Sequence, residues 1–236
     1  MNVLMLSSSK YGNHQYLAYA YEWISRHLSD CENIVFIPYA GVSISWDAYT
    51  QKVKDAFADH PLLKAKKVTG IHEYEDPKLA IKQADAIIVG GGNTFNLVHH
   101  LYANQLVQLI QHKVETNTPY IGWSAGANVC GLSLSTTNDM PIIEPESFTT
   151  LAFIQAQINP HYTDYVAPDH HGETRDQRIQ EFCTLHPSTP VLAIPEGSAL
   201  LLQNNKLSLL GDLSAVVFQG DNKLTITADN NLTEYS

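Results

Sequence analysis

Two continuous apolar runs end abruptly in small residues, and no other feature constrains the fold as strongly. Residues 86–89 (AIIV) run directly into Gly90-Gly91-Gly92, and residues 119–123 (PYIGW) run into Ser124-Ala125-Gly126. A short run with no polar alternation suits a strand buried on both faces, which is the situation in a parallel sheet covered by helices. Similar runs at residues 3–6, 34–38 and 68–72 read as further strands. Between them lie segments with helical apolar spacing at 15–28, at 46–58 behind a Ser45 cap, after Asp76-Pro77, and from Phe95 to about Val114. The alternation predicts an α/β fold with a mostly parallel sheet and helices on both faces.

From about Ser133 the pattern changes, with more prolines and turn residues. Short apolar runs at 191–194, 199–203, 215–219 and 224–226, joined by turns such as Gly220-Asp221-Asn222, predict antiparallel strands added at the sheet edge. No linker or repeat divides the 236 residues, so one α/β domain over 1–236 is expected. The net charge of −10, from 14 basic and 24 acidic side chains, offers no basic stripe for nucleic acid. Three scattered cysteines form no CxxC pair, no run approaches the roughly 18 apolar residues of a membrane span, and the first residues lack a basic leader. The expectation is a cytoplasmic monomer or small homo-oligomer acting on a small molecule, away from nucleic acid and membrane.

In doubly wound sheets ligands collect at the carboxyl ends of the strands, so the residues just after Val89, Trp123 and Ile194 come first. Gly122-Trp123-Ser124-Ala125-Gly126 fits G-x-S-x-G. Where a strand bends sharply into a helix, small neighbours let the chain pass close by and lift the central hydroxyl clear. Ser124 is therefore the candidate nucleophile, and the Ala125 N–H is aimed where an oxyanion forms. The glycine run supplies a second donor, best taken as the Gly92 N–H. It lacks the spacing of a phosphate-binding loop, so as a cofactor motif it is weak. Cys130, further along the helix, reads as a core residue.

A serine needs a general base. Of eleven histidines, His14, His27, His60, His99, His100 and His112 fall on helices or their ends, where solvated side chains are expected. His161 follows an apolar stretch ending in Asn159-Pro160 and leads His170 and His171 as the base. Two carboxylates compete to orient it: Asp139, in a turn-rich loop, and Glu196, directly after the strand at 191–195. The stretch from His161 to Glu173 holds six potential metal ligands but no helix-spaced pair, so a metal site is the main rival among enzymes and ranks below the serine.

Six blocks in order, GGGNTF (90–95), GWSAGAN (122–128), TTNDMP (136–141), INPHYT (158–163), GETRDQR (172–178) and PEG (195–197), resemble the peptidase E family of aspartyl dipeptidases over nearly the whole chain. The resemblance implies a flavodoxin-like sheet, similar to a class I glutamine amidotransferase domain but with serine in place of cysteine at the elbow. It also implies hydrolysis of dipeptides that begin with an α-linked aspartate, without metal or organic cofactor. Ser124 is then the nucleophile and His161 the base, with both Asp139 and Glu196 retained. A chain of this charge needs a local cation to hold an aspartyl side chain, and Arg175 in GETRDQR is the candidate. The alternatives are a cyanophycinase-like hydrolase of aspartyl polymers, a lipase-like esterase, and a non-catalytic flavodoxin-like binding module.

Overall fold

The structure, a computed structural model, describes residues 1–169 and 171–236. In chain order the elements begin with β1 (Asn2–Leu6), α1 (Tyr21–His27), β2 (Asn33–Ile37), α2 (Trp46–Ala58), β3 (Lys67–Gly70) and α3 (Pro77–Gln83). They continue with β4 (Ala86–Val89), α4 (Thr94–Ala103), α5 (Val107–Glu115), β5 (Tyr120–Trp123), α6 (Ala125–Asn128) and β6 (Gln157–Tyr162). The chain ends with α7 (Arg175–Leu185), β7 (Val191–Pro195), β8 (Ala199–Gln203), β9 (Lys206–Leu210), β10 (Ala215–Gln219) and β11 (Asn222–Ile226).

Seven strands form the main sheet in the order β3-β2-β4-β5-β1-β8-β9. The first five are parallel, and β8 and β9 extend the β1 edge antiparallel. Successive side chains alternate between the two faces: Val3 and Met5 join one core cluster, Leu4 and Leu6 the other. On one face lie Leu17, Ile24 of α1 and Val53 and Phe57 of α2, packed on Phe36 and Trp123. On the other lie α3, α4 and α5 together with the inner face of a second sheet.

That second sheet, in the order β11-β10-β7-β6, differs from the expectation that all the C-terminal strands add to the main sheet's edge. Only β8 and β9 do so. β7 pairs in parallel with β6 and antiparallel with β10, and α7 covers the outer face through Ile179 and Cys183. A further difference lies at 95–114, where α4 stops at Ala103 and α5 starts at Val107 because Gln105 takes a left-handed φ of 54°. None of the described helices is long and apolar enough to cross a membrane.

His27 also departs from expectation. It is 8% exposed on α1, and its Nε2 lies 3.1 Å from the carbonyl of Tyr120, the first residue of β5. Burial holds its pKa down at about 4, against an ordinary 6.5. The unfolded chain takes up this proton near pH 6.5 and the folded chain only near 4, so stability falls as pH drops through that window. His27 alone is expected to cost about 2 kcal/mol between pH 7 and pH 5. Urea midpoints at the two pH values check this, since His27→Gln should lose correspondingly less.

Candidate active site

The carboxyl ends of β1, β2, β4 and β5 lie together, and the loops that follow them wall a cavity of about 540 Å³ containing Ser124 and His161. Ser124 sits between β5 and α6 with φ 53° and ψ −113°, a strained conformation that its flanking glycines make possible. A Cβ on Gly122 would lie 2.1 Å from the Gly126 carbonyl oxygen, and one on Gly126 would lie 2.2 Å from that of Val89. The G-x-S-x-G spacing therefore reflects two backbone approaches that no side chain would tolerate. The Ser124 N–H donates to the Leu6 carbonyl (3.1 Å), which ties the elbow to the end of β1.

His161 lies on β6 at a register shift between Asn159 and Tyr162, with a left-handed φ of 55°. The bulge turns the imidazole toward β5. Its backbone N–H donates to Ser7 Oγ (2.8 Å), and the Ser7 hydroxyl donates to the Ile194 carbonyl (2.8 Å). Ser7 is fully buried at the end of β1 and so links β6 to β7. It escaped the reading of the sequence because a serine after a strand looks like an ordinary loop residue.

The His161 Nε2 lies 2.8 Å from Ser124 Oγ, and its Nδ1 lies 2.7 Å from Glu196 Oε1. The Glu196 carboxylate can only accept, so Nδ1 carries the ring proton and Nε2 is left to accept from the serine hydroxyl. Glu196 follows β7, and its side chain remains 54% exposed. His171 is exposed and makes no such contact, while His170 lies outside the described residues.

Asp139, by contrast, does not meet His161. Its Oδ2 accepts from the Thr94 N–H (2.7 Å), the Thr94 hydroxyl (2.6 Å) and the Thr137 hydroxyl (3.1 Å). Its carboxylate is spent on the N-terminus of α4, where a negative charge is favourable. Cys130 is fully buried, and burial pushes its thiol well up, as befits a core residue.

The glycine run adjoins the nucleophile: a Cβ on Gly91 would lie 2.8 Å from Ser124 Cβ. Gly92 has φ 139°, and a Cβ there would meet the Ala40 carbonyl oxygen at 2.2 Å. Neither the Gly92 nor the Ala125 N–H has an acceptor among the described residues. Two unsatisfied donors on either side of a hydroxyl are suited to receive a developing oxyanion.

Arg175 does not line this cavity. As the first residue of α7 it lines a neighbouring one of about 400 Å³, on the far side of the Met140-Pro141-Ile142 segment. Its guanidinium donates to Asn159 Oδ1 (3.4 Å), two residues from the histidine. Half-burial, then the like charge of Arg178, lower its pKa, so an anion there would be welcome. Asp176 is committed to Lys223 and Tyr162, and Glu173 pairs with Arg178. Lys52 on α2 is a second cation, one that no sequence motif marks. It lines the Ser124 cavity with its Nζ 4.3 Å from the centre of the Tyr16 ring, and among the described residues no carboxylate lines that wall.

A serine at a strand–helix elbow, in line with an imidazole and a carboxylate and beside two unsatisfied N–H groups, is an arrangement used by acyl-transferring hydrolases. The chain belongs to Peptidase family S51, whose profile matches residues 3–210. It is 50% identical to the peptidase E of Shewanella amazonensis over 99% of both chains. It is 48% identical to that of Shewanella denitrificans over 100% of this chain and 99% of the other. Among solved structures, a peptidase from an acI-B1 actinobacterium superposes with a TM-score of 0.70 at 18% identity, covering 98% of this chain and 96% of that one. That likeness supports the flavodoxin-like fold, and the family makes this protein a peptidase.

Proposed function

We propose that the protein is a serine dipeptidase that releases N-terminal, α-linked aspartate from dipeptides. The observation that carries the reading is the continuous line from Glu196 through His161 to Ser124, with bonds of 2.7 and 2.8 Å. His161 Nε2 takes the hydroxyl proton as Ser124 Oγ bonds to the aspartyl α-carbonyl carbon. The carbonyl oxygen becomes an oxyanion held by the Gly92 and Ala125 N–H groups. As the C–N bond breaks, the imidazolium returns the proton to the leaving amine, and the aspartyl ester remains on Ser124. Water, deprotonated by the same imidazole, then hydrolyses that ester.

The aspartyl preference rests on charge. In a chain of net charge −10 the site is flanked by two cations, each without a carboxylate partner among the described residues. Arg175 is suited to the β-carboxylate of the acyl residue, because a guanidinium takes a carboxylate on two prongs. Lys52, in the wall of the Ser124 cavity itself, is suited to the free carboxylate of the leaving residue. The close relatives carry the name peptidase E, consistent with this assignment.

Dipeptides with Asp, Glu, Asn and Ala before Leu test the reading directly. Asp-Leu is expected to dominate in kcat/KM, and equal turnover of Ala-Leu would overturn the substrate assignment. Arg175→Met should lose activity on Asp-Leu by about 10- to 100-fold while sparing the weak activity on Ala-Leu, since a charge-assisted pair at a half-buried guanidinium is partly screened by solvent. Lys52→Met should raise the KM for Asp-Leu about tenfold but leave that for Asp-Leu amide unchanged, as the more exposed cation contributes less.

A further inference from the structure

The Gly92 donor is only as useful as its aim, and the network behind it shows what sets that aim. Tyr49, on α2, is 6% exposed and lies behind the glycine run, with its hydroxyl at the centre of three contacts. Trp123 Nε1–H donates to Tyr49 Oη (3.1 Å), and the Tyr16 hydroxyl approaches it at 3.4 Å. An indole nitrogen can only donate, and a phenol has two acceptor positions and one proton. With both acceptor positions in use, the Tyr49 proton is left for the Gly91 carbonyl, which it meets at 2.9 Å. Burial raises the Tyr49 pKa above the ordinary phenol value, so that proton stays on the oxygen.

The Gly91 carbonyl and the Gly92 N–H belong to one planar peptide unit, and in the trans form they point in opposite directions. Holding the carbonyl on the α2 side therefore fixes the N–H on the other. We propose that Tyr49 is the positioning residue of the oxyanion hole, locking the Gly91–Gly92 peptide so that its N–H faces the reacting carbonyl. The aligned Trp123–Tyr49–Gly91 bonds also polarise that N–H and strengthen it as a donor. The glycine run suits this role. A Cβ on Gly90 would lie 2.7 Å from Tyr49 Oη, and one on Gly91 would press on Ser124, so only a bare backbone fits between the tyrosine and the nucleophile.

The proposal rests on Ser124 as nucleophile but not on aspartyl specificity, and its test separates the two. A fluorophosphonate phosphonylates an activated serine, the Ser124 O–P bond forming as P–F breaks and fluoride leaves, and the negative charge that develops on its phosphoryl oxygen in the transition state falls in the oxyanion hole without any aspartyl group. Tyr49→Phe is expected to lower the rate constant of labelling about tenfold, less than the loss of a whole donor. On Asp-Leu the loss should fall in kcat, with KM and the shape of the pH profile unchanged. A purely structural role would instead reduce the amplitude of labelling, through an unfolded fraction, at an unchanged rate constant. Should the variant melt near the assay temperature, trimethylamine N-oxide restores the folded state for the same measurement. Labelling of Tyr49→Phe at the wild-type rate constant overturns the proposal. Slow labelling supports it even if Asp-Leu proves inert, an outcome that would overturn the substrate assignment alone.

Discussion

Ser124→Ala is expected to leave the fold intact and to reduce turnover of Asp-Leu by about four to six powers of ten. The hydroxyl makes one side-chain hydrogen bond, to His161, and belongs to no core cluster, so its removal costs little packing. The strained elbow is held by the Ser124 N–H bond to Leu6 and by the close approaches at Gly122 and Gly126, all of which alanine retains. The melting temperature should therefore stay within a few degrees of wild type while fluorophosphonate labelling disappears. Residual hydrolysis reflects the oxyanion donors and substrate positioning alone, which in other serine hydrolases still exceed water by about a thousandfold. A variant with near-normal kcat would remove Ser124 from the chemistry and with it the acyl-enzyme route.

The parallel half of the fold was legible because its physics leaves little choice. A central strand covered on both faces must be apolar, and the apolar runs match β4 (AIIV) to the residue and β1, β2 and β5 to within one residue at each end. The break between α4 and α5 was not legible. Apolar residues continue at helical spacing across it, and the left-handed residue there is Gln105, not a glycine or asparagine. The second sheet escaped for a different reason: apolar alternation marks a strand but does not say which sheet it joins. β7 and β10 carry the same pattern as β8, yet β7 pairs with β6, whose Asn159-Pro160-His161 core reads as a loop.

In the site, residue types limited what could be foreseen. Ser124, Gly92 and Ala125 announce themselves because small residues at a strand end have few other uses. Tyr49 does not, since a buried tyrosine in an amphipathic helix reads as core, and only the contact with the Gly91 carbonyl sets it apart. Lys52 reads as solvated for the same kind of reason. Asp139 stands in a turn-rich loop and Glu196 directly after a strand, and no spacing rule distinguishes them. The distinction is geometric: three donors surround Asp139 Oδ2 at the start of α4, while Glu196 Oε1 faces Nδ1 of the imidazole.

That distinction makes the second large prediction. Glu196→Gln is expected to lower kcat on Asp-Leu by about 100- to 1000-fold with little change in KM or melting temperature. The amide can still bond to Nδ1, but its NH2 can also donate there, which favours the tautomer whose Nε2 carries the proton and cannot take one from Ser124. It also removes the negative charge that stabilises the imidazolium as the serine attacks. The loss should be smaller than for a buried triad carboxylate, because 54% exposure lets water screen part of the missing charge. Asp139→Asn should behave in the opposite way. Asparagine can still accept from the Thr94 N–H but loses the charge at the α4 terminus, costing about 1 kcal/mol of stability. Because α4 starts directly after the glycine run, a modest drop in kcat, about threefold, should accompany it through the aim of the Gly92 N–H. Parallel measurement of kcat and melting temperature separates the pair: Glu196 should move the rate and Asp139 the melt, and a reversed result would assign the orienting carboxylate to Asp139.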